Sequence, residues 1–240
     1  MIRLEDADFV RDIFESESCI ILPIEISCLC DGSVDILVYP MYEKIAEEFE
    51  KCFGNDPFSD KAAAFLMTKL SPEVEKLGYS TAGADTHAYR EYRCEKPNTA
   101  KILPECELIS TLDGETWDEI DLDGFELDPE NESDRMAVIR MDGRIVCYAG
   151  LNDLCEEDGL YEITVECEEE YRGRGYASSC TAKLTEYLMA VGEGVKYVCA
   201  EDHTVSQKTA EASGYTLYRK VFPFVCVRED DDDGAEEDEE

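Results

Sequence analysis

The stretch LYEITVECEEEYRGRGYASSCTAKLTEYLMAVG, residues 160–192, decides how the rest of the chain is read. Its opening alternates: Glu162, Thr164 and Glu166 fall on one side, and Ile163, Val165 and Cys167 on the other. That is the period-two pattern of a strand with one buried face. Its second half places Cys180, Leu184, Tyr187, Leu188 and Val191 on one face of a helix, with Gly192 or Gly194 as the stop. Between strand and helix lies Arg172-Gly173-Arg174-Gly175. Two arginines on a glycine loop need a reason in a chain with 58 acidic and 22 basic residues and a formal net charge of -36. Glycine allows positive φ and lets the backbone approach a ligand closely. A helix N-terminus presents unpaired N–H groups and partial positive charge. Together with the two guanidinium groups these make a pyrophosphate site. The loop is not the G-x-G-x-x-G of a dinucleotide fold, and no Gly-Lys-Ser/Thr follows it as in a P-loop.

Outward from this stretch the elements alternate regularly. AKILPECELIST (residues 100–111) reads as a strand. RMAVIRMDGRIVCYAGL reads as a hairpin turning at Asp142-Gly143 between two apolar runs. After the helix come a short buried strand, VKYVCA, a helix TVSQKTAEAS closed by Gly214, and a last strand or strand pair, YTLYRKVFPFVCV. The acidic segment around Trp117 is broken by Gly and Pro and reads as a loop.

The first hundred residues read as a separate α+β module without a chemical signature. DADFVRDIFES is a short helix, and ILPIEISCLCDGSVDILVYP is two strands around Asp31-Gly32. Tyr42, Ile45, Phe49 and Phe53 recur at helical spacing before Gly54. SDKAAAFLMTKL is a second helix capped by Ser59 or Asp60, and THAYREYRCE is a strand. At the other end, residues 229–240 hold ten acidic residues in twelve and no apolar residue larger than alanine. Such a segment is expected to be disordered. Without its ten charges the rest still carries -26.

Charge of this sign repels nucleic acid and anionic membranes, so neither is an expected partner. A cationic small molecule or basic peptide would be attracted, and the acidity also serves solubility. The start, MIRLEDADFV, lacks the apolar core of a signal peptide, and no apolar run approaches a membrane span. The expected location is the cytoplasm. The 12 cysteines are scattered through strand-like and helix-like segments and read as buried thiols. Cys28 and Cys30 lack a second pair at zinc-finger spacing, and the two histidines, His87 and His203, are far apart, so no metal site is expected.

Arg172-Gly173-Arg174-Gly175-Tyr176-Ala177, in its strand–loop–helix setting, resembles the acyl-coenzyme A site of the GCN5-related N-acetyltransferases, the GNAT superfamily. The order hairpin, strand, motif, helix, strand, helix ending ASGYTLY and final strand is similar to the family's over residues 103–227. The resemblance implies an α/β fold of the α+β kind, with a central mixed, mostly antiparallel, splayed sheet. It divides the chain into an N-terminal extension (1–100), an acetyltransferase-like domain (103–228) and the acidic tail (229–240). It implies acetyl-CoA as co-substrate and an amine as acceptor. Cys167, Arg172, Gly173, Arg174, Gly175, Tyr176 and Ala177 are then cofactor contacts. On the downstream helix Ser206 caps it or bonds the cofactor, and Lys208 reaches an outer phosphate or is merely exposed.

Attack by an amine requires a base, often acting through water, to take its proton. Glutamates on the strand before the motif serve this role in several family members, which singles out Glu162 and Glu166. The oxyanion donor in the family is a backbone N–H of the same strand. The sequence departs from the family downstream: His203-Thr204-Val205-Ser206 replaces Asn-x-x-Ser, and Ala210 stands where the family's tyrosine acid is expected. His203 is a substitute polar contact or an N-cap-region residue. The two helices that the family places before the hairpin are absent, which leaves a wall of the acceptor pocket to the first hundred residues. Two other readings remain open: a CoA-binding or regulatory protein without catalysis, and an acidic interaction protein acting through its tail. The oligomeric state is left open by the sequence.

Overall fold

The structure is a computed structural model, described here over residues 2–3, 20–81, 87–112, 127–155 and 158–228. The expected helix at residues 6–16, the loop around Trp117 and the acidic tail lie outside the described residues. In chain order the elements are strands β1 (Ile2–Arg3), β2 (Ile20–Leu29) and β3 (Val34–Val38), helices α1 (Glu43–Phe53) and α2 (Asp60–Glu75), and strands β4 (Tyr79–Ser80) and β5 (Tyr89–Arg93). Strands β6 (Cys106–Ile109), β7 (Met136–Met141), β8 (Arg144–Cys155) and β9 (Leu160–Cys167) follow. Helix α3 (Tyr176–Val191), strand β10 (Gly194–Ala200), helix α4 (Thr204–Ser213) and strand β11 (Thr216–Arg228) complete the fold.

The chain forms two compact units, Met1–Tyr89 with Arg219–Glu240, and Arg90–Tyr218. Residues 90–100 and 219–228 thus fall on the other side of the division from their place in the sequence partition. Strand pairing is the reason: β5 neighbours β10, and β11 from Arg219 onward runs antiparallel to β2.

In the first unit β1 pairs with β3, β3 with β2, β2 with β11, and β4 with β11. Phe49 of α1 and Leu66, Leu70 and Val74 of α2 pack in one core with Ile24, Ile26, Ile36, Val38 and Phe224. Helix α2 runs through Pro72 to Glu75, past the expected end at Leu70. Proline inside a helix costs about 3 kcal/mol. Leu70 and Val74 are fully buried on the same face, and burying each contributes about 1.5–3 kcal/mol, enough to offset that cost.

The second unit has the strand order β5-β10-β9-β8-β7-β6. The pairs β6–β7, β7–β8 and β8–β9 are antiparallel, while β9–β10 is parallel. This is the mixed, mostly antiparallel α+β sheet expected from the sequence. The hairpin turns at Asp142-Gly143, both at positive φ (53° and 88°), as a two-residue turn requires. Strand β6 is shorter than the AKILPECELIST stretch, because Thr99–Lys101 form a turn of 3-10 helix instead.

Helix α3 lies over one face of this sheet. Cys180, Leu184 and Leu188 pack with Ala137, Ile139, Val146, Ile163 and Val195. Its buried surface is wider than the apolar stripe suggested, and differently placed. Tyr187 is only partly buried, and its hydroxyl donates to the Glu132 carbonyl (2.8 Å), while Val191 is exposed. Ser179, Thr181 and Thr185 are fully buried instead. Two of the three are hydrogen-bonded, Thr185 Oγ1 to Tyr215 Oη (2.7 Å) and Ser179 Oγ accepting from Leu103 N–H (2.9 Å), while Thr181 Oγ1 has no hydrogen-bond partner among the described residues. A stripe reading counts only apolar residues and misses a second buried face made of small ones.

Candidate functional site

The glycine loop ends in Gly175, which is the N-cap of α3 at φ 83°, with Gly173 at φ 76°. Such φ values cost an L residue roughly 1–2 kcal/mol, which fixes glycine at both positions. A Ser, Thr, Asp or Asn at the cap would bond one of the first amides; glycine leaves them open. Ser179 N–H makes the first helical bond, to the Gly175 carbonyl (3.0 Å). The six preceding amides, Gly173 to Ser178, have no acceptor among the described residues. The first turn of α3 holds no acidic side chain, although the chain carries 58. Arg172 Nε donates to the Cys167 carbonyl (3.0 Å) and Arg174 Nη2 to the Glu170 carbonyl (3.1 Å), with the Arg174 guanidinium 5.0 Å from the Tyr171 ring centre. Each arginine is thus fastened to the loop by one donor of five. Open amides, a helix dipole and two guanidinium groups are what an oxyanion such as a pyrophosphate requires. A Cβ placed on Gly173 or Gly175 meets nothing within 4 Å, so the cradle is open.

The strand that feeds this loop parts from its neighbour. The parallel ladder between β9 and β10 has three registered pairs, Gly194↔Leu160, Val195↔Tyr161 and Lys196↔Glu162. Beyond Lys196↔Glu162 the register ends, while both strands continue, to Cys167 and Ala200. On its other edge β9 stays paired with β8 as far as Cys167↔Cys147. The β10-facing edge of residues 163–167 is therefore a row of main-chain donors and acceptors without a ladder partner. Ligands in sheets with parallel strands sit at such C-terminal openings.

Glu162 stands at the base of this fork. The expected alternation holds: Ile163 and Cys167 belong to the core under α3, and Glu162 and Glu166 face the other way. The bulge in this region lies in the partner strand. From Leu151↔Ile163 to Leu154↔Tyr161, β8 advances one residue more than β9. Asn152, in that bulge, acts on the Glu162 carboxylate in favour of its ionised form. Bulges re-aim side chains in this way. Burial raises the Glu162 pKa above the usual carboxylate value, while Lys196 and Asn152 oppose the rise. Glu166 is exposed, with the Tyr148 hydroxyl donating to it at 3.4 Å. The two candidates are thus unequal: one is partly desolvated beside a cation, the other lies in water.

A chain of charges runs across the same face. Arg93 Nε contacts Glu91 (2.9 Å) and Arg93 Nη2 contacts Asp158 (3.3 Å). Asp158 also receives Lys196 Nζ (3.5 Å) and the Leu160 N–H (3.1 Å). Glu91 and Lys196 are 1% and 8% exposed. The sequence reading passed over these residues, but a signal existed: Lys196 is the single charge inside the apolar strand VKYVCA.

The remaining candidates scatter. Ser206 is bonded to the Tyr197 hydroxyl (2.7 Å), and Lys208 is exposed. His203 is the N-cap of α4 without a side-chain cap bond. Ala210 is fully buried. Cys167 is 8% exposed, and the adjacent Cys147 thiol and burial push its pKa up. Among the described residues no group of three or more His, Cys, Asp or Glu side chains is arranged to hold a metal ion, and no helix is long and apolar enough to cross a membrane.

The family model of the acetyltransferase (GNAT) family matches residues 97–215. No curated protein matches the chain. Among solved structures it is similar to a GNAT-family acetyltransferase from Novosphingobium aromaticivorans, at 16% identity over 60% of this chain and 66% of that one, with a TM-score of 0.43. It is also similar to a GCN5-related N-acetyltransferase from Sphaerobacter thermophilus, at 13% identity over 92% and 84% of the two chains, with a TM-score of 0.49. The chain spans slightly less than two thirds, 66%, of the first of these. The open amides, the fork and Glu162 all fall inside the matched segment, and residues 97–215 are a domain of the GNAT acetyltransferase family.

Proposed function

We propose that this protein transfers an acetyl group from acetyl-CoA to a primary amine by direct attack. The observation that supports it best is the junction of two features on one strand: six open amides with two arginines after β9, and a partly desolvated glutamate at the base of the fork within it. Acetyl-CoA supplies an activated acyl thioester. The amides of Gly173 to Ser178, with Arg172 and Arg174, hold its pyrophosphate, and Tyr176 and Ala177 bring the first turn of α3 to it. Ser206 and Lys208 add contacts from α4. The unpaired edge of β9 offers N–H donors to a developing oxyanion. Glu162 accepts the proton of the attacking amine, directly or through a water, with Glu166 the second choice. A buried Cys167 thiol with a raised pKa is a poor nucleophile, which supports direct attack over a covalent enzyme intermediate.

The acceptor is a cationic small amine or a basic peptide terminus, drawn by a chain of net charge -36. The protein works in the cytoplasm without nucleic acid, membrane or metal. One observation favours a second reading, a CoA-binding protein without catalysis: fully buried Ala210 stands where the family carries its tyrosine.

Thiol release with a panel of amines tests both. Glu162→Gln should keep acetyl-CoA affinity and lose roughly 10²–10⁴-fold in turnover, the range for acid–base help. Glu166→Gln should lose far less. A wild type that binds acetyl-CoA but acetylates no amine or peptide supports the second reading. A wild type that does not bind it overturns both.

A further inference from the structure

We infer that Lys196 is a positioning residue for the transfer: its ammonium, held by Asp158 at the base of the fork, keeps Glu162 ionised so that it can accept a proton. The inference rests on Glu162 as the base and deepens that reading.

The geometry carries it. Lys196 lies opposite Glu162 in the last registered pair before β9 and β10 separate, so the strands themselves fix their separation. In β10, Val195, Tyr197 and Cys199 pack in the core under α3, so Lys196 points to the opposite face, which is the face of Glu162. It is 8% exposed, and an ammonium so far from water is retained only where carboxylates neutralise it. Its Nζ lies 3.5 Å from Asp158, whose other oxygen receives Arg93 at 3.3 Å. Arg93 is in turn fixed by Glu91 and by stacking 3.8 Å from the Tyr218 ring centre.

Glu162 is acted on by Lys196 of β10 and Asn152 of β8, the two strands that flank β9, by Glu91 of β5 beyond β10, and by Asp158 of the turn before β9. Burial and the two carboxylates favour its neutral form, and Lys196 and Asn152 favour the ionised one. A base that is protonated at working pH accepts nothing. Lys196 is the cation that opposes this, and Asp158 holds it in place while itself acting on Glu162 in the opposite sense.

This opposition gives a test that a merely structural role would not pass. The experiment follows the Glu162 carboxyl by carbon NMR across pH, with Glu162→Gln identifying the signal, and kcat/KM over the same range. Lys196→Met should raise both the titration midpoint and the acidic limb by a pH unit or more, so that activity near neutrality falls about tenfold and recovers at higher pH. Lys196→Arg should restore the wild-type position. Lys196→Gln should move both upward as Lys196→Met does, which keeps the test available even where Lys196→Met fails to fold. An unmoved Glu162 midpoint in the neutral variant that folds overturns the inference. A midpoint that moves while the kinetic limb stays fixed overturns Glu162 as the base, and the catalytic role of Lys196 with it.

Discussion

Lys196 and Glu162 form the final pair of the parallel β9–β10 ladder, and past them the two strands part. The same register that ends the sheet's hydrogen bonding brings a cation and a carboxylate together where the opening begins. Folding raises the pKa of this carboxylate through burial. The acidic limb of kcat/KM should therefore lie above the ordinary glutamate value of about 4.3. A limb at or below that value would show that another group is titrating.

The same shift makes a stability prediction of definite sign. A carboxyl whose folded pKa is raised favours the native state most when protonated. Its contribution is present below the unfolded pKa and lost as pH rises through the folded one. Glu162→Gln cannot ionise, so its melting temperature relative to wild type should improve between pH 4 and pH 7. A difference that is flat or declining with pH would contradict the burial argument.

Acetyl-CoA should raise the melting temperature of the wild type, since a ligand bound only by the native state stabilises it by mass action. Gly175→Glu should abolish that rise. The side chain would enter open space, so no clash is involved. The harm comes from the strained φ of 83° and from negative charge at the helix N-terminus. Arg172→Gln and Arg174→Gln should each weaken acetyl-CoA binding by roughly 10–100-fold, the worth of a charge-assisted bond of about 1.5–3 kcal/mol. Isothermal titration would read both, and unchanged affinity in both arginine variants would place the pyrophosphate elsewhere.

Core packing beneath the site should be sensitive to truncation. Leu184 and Ile163 are both at least 98% buried and touch one cluster. Leu184→Ala should cost about 2–5 kcal/mol in chemical unfolding. A loss under 1 kcal/mol would mean that α3 is not fixed on the sheet as described.

Thiol reactivity should sort by exposure. Cys30 and Cys52 are exposed and should react with Ellman's reagent within the native protein. Cys147 and Cys180 are fully buried, and burial holds the Cys180 thiol well above its ordinary pKa. They should react only on unfolding, as mass spectrometry after alkylation would show. Rapid native labelling of either would contradict the packing of α3 on β8.

The sequence by itself determined the local parts. Alternation over residues 160–167, helical spacing over the α3 residues and the glycines between them specify a strand, an open loop and a helix, because these signals depend on neighbours within a few positions. The Asp142-Gly143 turn is equally local. The run of open amides after β9 was legible for the same reason, being made of consecutive residues. What only the tertiary structure decided is what joins distant positions. Lys196 meets Glu162 across 34 residues through strand register. Asn152 reaches the same carboxylate through a bulge that no residue of β8 announces, and Arg219 onward pairs with β2 from the far end of the chain. Alternation could put Glu162 and Glu166 on one face but could not rank them. Their difference lies in desolvation and in charges supplied by other strands, and those are set by which strands fold against β9.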